Sequence, residues 1–262
     1  MALSGKVGNV YSSALLVEDC EDTWAEQAIT GVTLSTQTGK VGNYCARAAT
    51  VTIGISILMS EVISLNLSAY EGIYLWARSS LNTAVGDLQI LLDDTALCAS
   101  PLETLNLPAL TANTWRQCFA RLVAPLSDTA LISIGLKQAV DLADGTFDVD
   151  DVEALKEIDG IKSWTLDYTA DTLDATDFDD AGIRAHIIGQ SGWSGSFEGY
   201  KDTTPLSIGS EVYLVLGEST TAYQNWIGKV IITACHPTTS YEGIVTYSYD
   251  FQGTGALQNP DA

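Results

Sequence analysis

Residues 161–200 run IKSWTLDYTADTLDATDFDDAGIRAHIIGQSGWSGSFEGY, a strand-like stretch broken in its middle. Trp164, Leu166 and Tyr168 fall on one face of an extended segment, and Ser163, Thr165, Asp167 and Thr169 on the other. That is the period of two of a half-buried strand. From Asp171 the alternation stops and an acidic, turn-rich arm follows, carrying Asp174, Asp177, Asp179 and Asp180, then Gly182 and Arg184. Alternation resumes at Trp193, where WSGSFEGY reads as a second strand. An irregular arm of this length is uncommon inside a compact domain unless it binds something. A single subunit cannot easily pack it, so the segment predicts contact with another subunit.

The rest of the chain points to the same class. Short segments rich in Thr, Ser, Val, Ile and Tyr recur between Gly, Asp and Asn turns, as at 34–50, 70–80, 86–94, 211–219 and 225–234. They predict an all-β chain. Within 243–255, Val245, Tyr247, Tyr249 and Phe251 share one face. Thr203-Thr204-Pro205 suits the start of a flanking helix, since Pro is favoured at a first helical position. Such a helix, ending by Gly209, would be about one or two turns long.

At 262 residues, 46% of them apolar and 17% charged, the chain is long enough for two ordinary folded domains. The apolar run 51–59 is interrupted at Ser60 and Glu61. It falls well short of the ~18 residues that span a bilayer, so no membrane insertion is expected. The start, MALSGKV, lacks the apolar core of a secretory leader, which predicts synthesis in the cytoplasm. Twelve Lys and Arg stand against 33 Asp and Glu, a net charge of −21. A chain this acidic does not bind nucleic acid by neutralising phosphates. Its acidity has two readings that composition leaves open: a wall past which DNA slides without sticking, or plain solubility.

No catalytic constellation stands out. The two histidines, His186 and His236, belong to no H-E-x-x-H, and Gly192-Trp193-Ser194-Gly195-Ser196 lacks the closing Gly of a nucleophile elbow. Carboxylates are everywhere and nothing singles out a pair. The chain is read as not an enzyme. Cys20, Cys45, Cys98, Cys118 and Cys235 show no metal or redox spacing. Buried thiols and a late disulfide are the two readings of them.

Taken in order, SW-x-L, ADTLD-x-T-x-FDD-x-G, GWSGSFEGY and the closing YSYDFQGTGAL, with MALSGKVGNV at the start, resemble the major tail tube proteins of long-tailed bacteriophages. The resemblance covers residues 1–11 and 156–262. It implies a discontinuous tail tube domain, a β-sandwich or barrel with a short flanking helix at most. It further implies hexameric rings of this chain stacked into a hollow tube of the virion. Other tail proteins would sit at the tube ends, and DNA would pass through the lumen without specific binding. The arm with Asp174, Asp177, Asp179, Asp180 and Arg184 would reach a neighbouring ring.

Between these parts, residues 12–155 form an insertion whose strands and turns describe a second β-sandwich. VEDCEDTW, GKVGNYCARAA, YEGIYLWAR, LTANTWRQ, SIGLKQAV and GTFDVDDVEAL are similar, in that order, to jelly-roll modules of the carbohydrate-binding type. That likeness implies a structural Ca2+ held by Asp19 and Glu21, an i, i+2 pair on the first strand, and by Asp150 on the last. Carbonyls of the 40–43 turn would complete the oxygen shell, with Asp148 as a competing donor. The opposing reading is an acidic strand end facing water. The likeness also implies a cell-surface glycan as ligand. Trp24, beside acids and outside any alternating run, is the candidate for sugar stacking. Tyr74 and Trp76 share a parity that suits a core face, and Trp115 follows a turn as a core anchor does.

The chain is therefore expected to be a structural protein of a non-contractile phage tail, with the 12–155 jelly roll displayed outward. The alternative is a stand-alone carbohydrate-binding module with a second β domain.

Overall fold

The computed structural model of the chain describes residues 8–25, 29–51, 53–176, 183–201, 205–219, 222–239, 241 and 243–260. Among these the fold is all-β, with single 3-10 turns at Ala96–Cys98 and Pro125–Ser127. Thr203 and Thr204 lie outside the described residues, and 205–209 carries no helix.

A four-stranded sheet is built from β4 (Ser56–Leu65), β9 (Leu131–Gln138), β6 (Leu88–Asp93) and β7 (Glu103–Asn106), hydrogen-bonded in that order. The other sheet has eleven strands. One part of it comprises β2 (Val32–Thr38), β3 (Tyr44–Thr50), β10 (Gly145–Glu157), β5 (Gly72–Ser79) and β8 (Arg116–Arg121). The other runs outward in the order β1 (Val10–Glu18), β13 (Glu211–Gly217), β14 (Asn225–Thr238), β15 (Thr246–Gly253), β12 (His186–Tyr200) and β11 (Ile161–Asp174).

The first core lies between the four-stranded sheet and the β2–β3–β10–β5–β8 part. Ala46 and Ala48, Ile73, Leu75 and Ala77, and Phe147, Val149, Val152 and Ala154 meet Leu58, Ile63, Ile90, Leu92, Ile134 and Leu136. The sets follow the period of two along their strands, except that β4 steps from Leu58 to Ile63 and β10 from Val149 to Val152. The register against β5 shifts between Asp150 and Glu153, and Asp151 takes φ of 50°. This bulge absorbs one residue, so both halves of β10 point apolar side chains the same way.

The second core is built by Val10, Trp193, Phe197, Leu214, Leu216, Val230, Ile232, Tyr249 and Phe251. Trp164 of β11 donates its indole N–H to the carbonyl of Gly217 in β13, at 3.3 Å. Those strands are four places apart in the sheet, about 19 Å if it were flat. The sheet therefore curls upon itself around this core. Trp193 fills the curl because two glycines leave it room: a Cβ on Gly253 would lie 2.1 Å from its ring, and one on Gly228 2.5 Å.

The two halves share more than a connection. β1 pairs with β13 through Val10–Ser12 and with β10 from Tyr11 to Glu18. The positions 11/12 and 155/156 thus fall within β1 and β10, and hydrogen-bonded sheet runs unbroken across them. Tyr11, Tyr74, Trp76, Phe119, Leu155, Tyr213, Val215 and Ile227 form a third core at the junction.

Candidate functional site: a free ribbon at the sheet edge

β12 pairs with β11 from His186 to Gly199, but with β15 only from Ser194 to Tyr200. Between Tyr168↔Trp193 and Asp174↔His186, the hairpin is a two-stranded ribbon with no third strand among the described residues. Seven residues at about 3.3 Å each carry it roughly 20 Å past the sheet. Leu173, Ile187 and Ile188 stand exposed on it, Ile188 at 81%. β11 is also the terminal strand of the sheet, so its outer edge is unpaired among the described residues.

The ladder continues where side-chain alternation stops. β11 extends to Asp174 and β12 already begins at His186, so both ends of the expected irregular arm are β-ribbon. A ribbon exposed on both faces has no buried side to impose a period on its sequence. The register shift between Ala170 and Thr172 sits where the alternation fails. Near the tip, Thr176 donates its amide and hydroxyl to the Asp174 carboxylate, holding that carboxyl below its ordinary range. The Thr176 hydroxyl in turn accepts the Ala185 N–H at 3.0 Å. Arg184 is exposed beside it, while Asp177, Asp179 and Asp180 lie outside the described residues.

The aromatic candidates of the insertion separate cleanly. Trp24 is fully buried in the first core and offers no stacking surface, which corrects the expectation. Its segment lacks a period because it crosses the end of the sandwich irregularly, with Ala25 bridging Ser60, and plugs the core with one large side chain. Tyr74 and Trp76 do share a face. It is the face turned away from the insertion core, and the β1–β13–β14 part of the molecule is packed on it. Beside them, Asp148 is buried, takes Nε and Nη2 of Arg47 at 2.6 and 2.9 Å, and accepts Nε of Arg78 at 2.7 Å. Arg78 also lies over the Trp115 ring, 4.5 Å from its centroid.

Asp19, Glu21 and Asp150 do not assemble as a cation shell. β1 ends at Glu18 and Cys20 takes φ of 58°, so residues 19 and 21 are no longer related by strand alternation. Asp19 is exposed and accepts the Glu21 N–H at 3.1 Å. The 40–43 turn presents amides rather than carbonyls. Asp150 Oδ2 accepts the N–H groups of Lys40 and Val41 at 2.5 and 2.9 Å, and Glu21 accepts that of Asn43 at 2.7 Å. Gly42, at φ of 63°, lies so close that a Cβ would sit 1.8 Å from the Glu21 carboxylate. One oxygen of the buried Asp150, Oδ1, stays unpaired. No three His, Cys, Asp or Glu among the described residues gather as a metal-holding group. These residues do not fit the ion.

All five cysteines are free thiols, and the four in the insertion are buried. Burial pushes the Cys45 thiol up to about 11, so at neutral pH it acts as a small apolar side chain.

No protein-family model matches this chain, and no curated protein matches it. Two solved structures are similar over part of it. One is described as the tail of an empty gene transfer agent (GTA) particle computed with helical refinement, C6 symmetry: 18% identity, 41% of this chain, 87% of that chain, TM-score 0.36. The other is the virion of a native GTA particle: 19% identity, 41% of this chain, 89% of that chain, TM-score 0.33.

Proposed function

We propose that the chain is a structural subunit of a virion tail tube, in which hexameric rings stack and the β11–β12 ribbon of each copy docks on the next ring. The free ribbon carries this reading. A lone two-stranded hairpin is marginally stable in water, and an uncovered edge strand is a template for pairing with another chain. Here both conditions meet in one element with exposed Leu173, Ile187 and Ile188. A neighbouring copy that pairs with the β11 edge and covers these side chains removes both liabilities. The resemblance of the 161–200 and 247–257 motifs to tail tube proteins supports the same assignment, and the chain's role is assembly rather than catalysis.

The insertion is placed outward on geometric grounds. A unit of its length is about 30 Å across, taking a radius of gyration of about 2.2·N^0.38 Å. Six such bodies do not fit in a lumen that also passes a DNA duplex. Projecting outward, they occupy the space a contractile sheath needs, so the tube is naked and the tail non-contractile. A net charge of −21 suits a wall past which DNA slides. Any cell-surface glycan is met by a surface of the insertion other than the Tyr74–Trp76 face, which is already covered.

The test is negative-stain microscopy of the purified chain beside a variant whose residues 169–192 are replaced by a short Gly/Ser turn. Wild type should form six-fold rings and tubes, and the variant should stay folded without polymerising. Normal tubes from the variant, or a monodisperse wild-type monomer, overturn the proposal.

A further inference from the structure

β7 and β8 end different sheets, and between them lies a cavity of about 240 Å³. Its far wall comes from the other half of the molecule, through Ala222, Tyr223 and Asn225. Tyr223 takes φ of 65°, a region that aromatic residues seldom occupy, and its hydroxyl donates to the Asn106 carbonyl of β7 at 3.0 Å. That bond holds the wall against the insertion. The volume falls just below the roughly 300–1,000 Å³ of sites for drug-sized molecules, so a ligand here is small.

The lining departs from the character of the chain. Although the sequence holds 33 Asp and Glu, none of them lines the cavity, and Arg121 is its single charged side chain. The adjoining acids are turned to other partners. Glu103 accepts the N–H groups of Val123 and Ala124, and Glu218 accepts the Trp226 indole N–H at 2.8 Å. Arg121 lies over the Tyr11 ring, 5.2 Å from its centroid. Its charge reaches Glu157, but that carboxylate takes the Asn9 amide, and no ion pair holds Arg121 among the described residues. Asn225 is 7% exposed, and its side-chain amide has no hydrogen-bond partner among the described residues. A buried polar group without a partner calls for one.

These groups specify a ligand by their chemistry. The planar guanidinium of Arg121 suits a carboxylate, which it can bind with two parallel hydrogen bonds. One positive charge, with no second cation in the lining, balances a monoanion rather than a phosphate dianion. The Asn225 amide offers a donor beside an acceptor, which matches hydroxyl groups, themselves both donor and acceptor. Asn106 adds further donors, since its Oδ1 takes Gln89 Nε2 at 2.8 Å and leaves its own NH2 for others. Leu105 and Phe119 supply an apolar wall for a carbon skeleton.

We propose that this cavity binds a small hydroxylated monocarboxylate, about the size of a single sugar acid, with Arg121 on its carboxylate and Asn225 on its hydroxyls. The site does not depend on the tail assignment, and it is distinct from the face of Tyr74 and Trp76. Because the ligand touches β7, β8 and the 222–225 segment together, its binding ties the two halves to one another.

The experiment titrates the full-length chain at low ionic strength with sodium glucuronate, and in parallel with glucuronamide, which keeps the shape without the charge, and with inorganic phosphate. Calorimetry should show binding of glucuronate at least tenfold tighter than of either control. Hydrogen exchange with glucuronate should slow at the amides of 104–106, 119–121 and 222–225, on both sides of the cavity. Arg121→Gln, a change at an exposed side chain, should weaken glucuronate at least tenfold, and Arg121→Lys should recover only part of the loss. Absence of glucuronate binding to wild type overturns the proposal, as does equal binding of glucuronamide, tighter binding of phosphate, or affinity unchanged in Arg121→Gln. The three wild-type titrations decide the question even if a variant fails to fold.

Discussion

Tyr74 of β5 and Tyr213 of β13 stack with ring centroids 4.0 Å apart and planes 23° from parallel, one ring from each half of the molecule. The Tyr74 hydroxyl bonds Gln117 Oε1 at 3.2 Å, and Gln117 Nε2 donates to the Ala256 carbonyl at 3.0 Å. The junction is thus a packed, hydrogen-bonded core continuous with the sheet, and not a tether.

Replacing Tyr74 by Ala should therefore act on both halves. Removing a buried aromatic costs about 3–5 kcal/mol. Calorimetry should show wild type melting in one transition and Tyr74→Ala splitting into two. Tyr74→Phe keeps the stack and loses only the hydroxyl's bonds to Gln117 and Tyr213, so it should cost about 1–2 kcal/mol and keep a single transition. Two transitions already present in wild type would show that the halves unfold independently.

Gly253→Ala should be as damaging as a core truncation, although it adds only a methyl group. That methyl would lie 2.1 Å from the Trp193 ring, and Gly253 sits on a strand that cannot move without breaking the ladder to β14. Overpacking of this kind costs about 1–3 kcal/mol. Combining it with Trp193→Leu should recover part of the loss, because the smaller side chain vacates the space. Simple additivity of the two substitutions in denaturant melts would count against the clash.

These positions show what the sequence discloses and what it hides. Tyr249 and Phe251 alternate and are buried as the pattern predicts, because β15 has one wet face and one dry one. Tyr168 continues the alternation of Trp164 and Leu166 yet is 55% exposed, because the sheet that would cover it has ended. Periodicity reports a face but not what lies against it. The shared parity of Tyr74 and Trp76 could be read, but their burial under the other half could not. The β1–β10 ladder, which joins residues more than a hundred positions apart, leaves no local trace. The relation of Asp19 to Glu21 was hidden for another reason: Cys20 takes a positive φ just past the end of β1, and no local pattern discloses it.

Asp148→Asn should destabilise the insertion through the two arginines that it holds. The carboxylate is buried while the Arg47 and Arg78 side chains are 21% and 25% exposed. Breaking a fully buried pair costs about 3–5 kcal/mol. Partial solvation of the guanidinium groups lowers this to about 2 kcal/mol. A double-mutant cycle with Arg78→Met should give coupling of at least about 1 kcal/mol in urea melts. A coupling near zero would reduce the trio to surface decoration.

The acidic end of β1 makes stability depend on pH, and the direction can be worked out. Burial lifts the Glu18 carboxyl to about 7, assisted by the charges of Asp19, Asp22 and Glu61 and opposed by the Cys20 N–H. The folded chain thus holds this proton more tightly than the unfolded chain, whose value is the ordinary 4.5. The stabilising contribution is complete below 4.5, falls as pH rises towards 7, and is gone above it. Glu18→Gln keeps an oxygen for the Cys20 N–H but cannot ionise. The melting curves of wild type and variant should therefore lie together at pH 4, diverge between 4.5 and 7, and stay apart at pH 8. There the variant should be the more stable by about 1–2 kcal/mol, allowing for solvent around the partly exposed carboxyl, which is a few degrees in melting temperature. Parallel curves across pH 4 to 8, or a wild type favoured at pH 8, would show that Glu18 ionises freely in the folded chain.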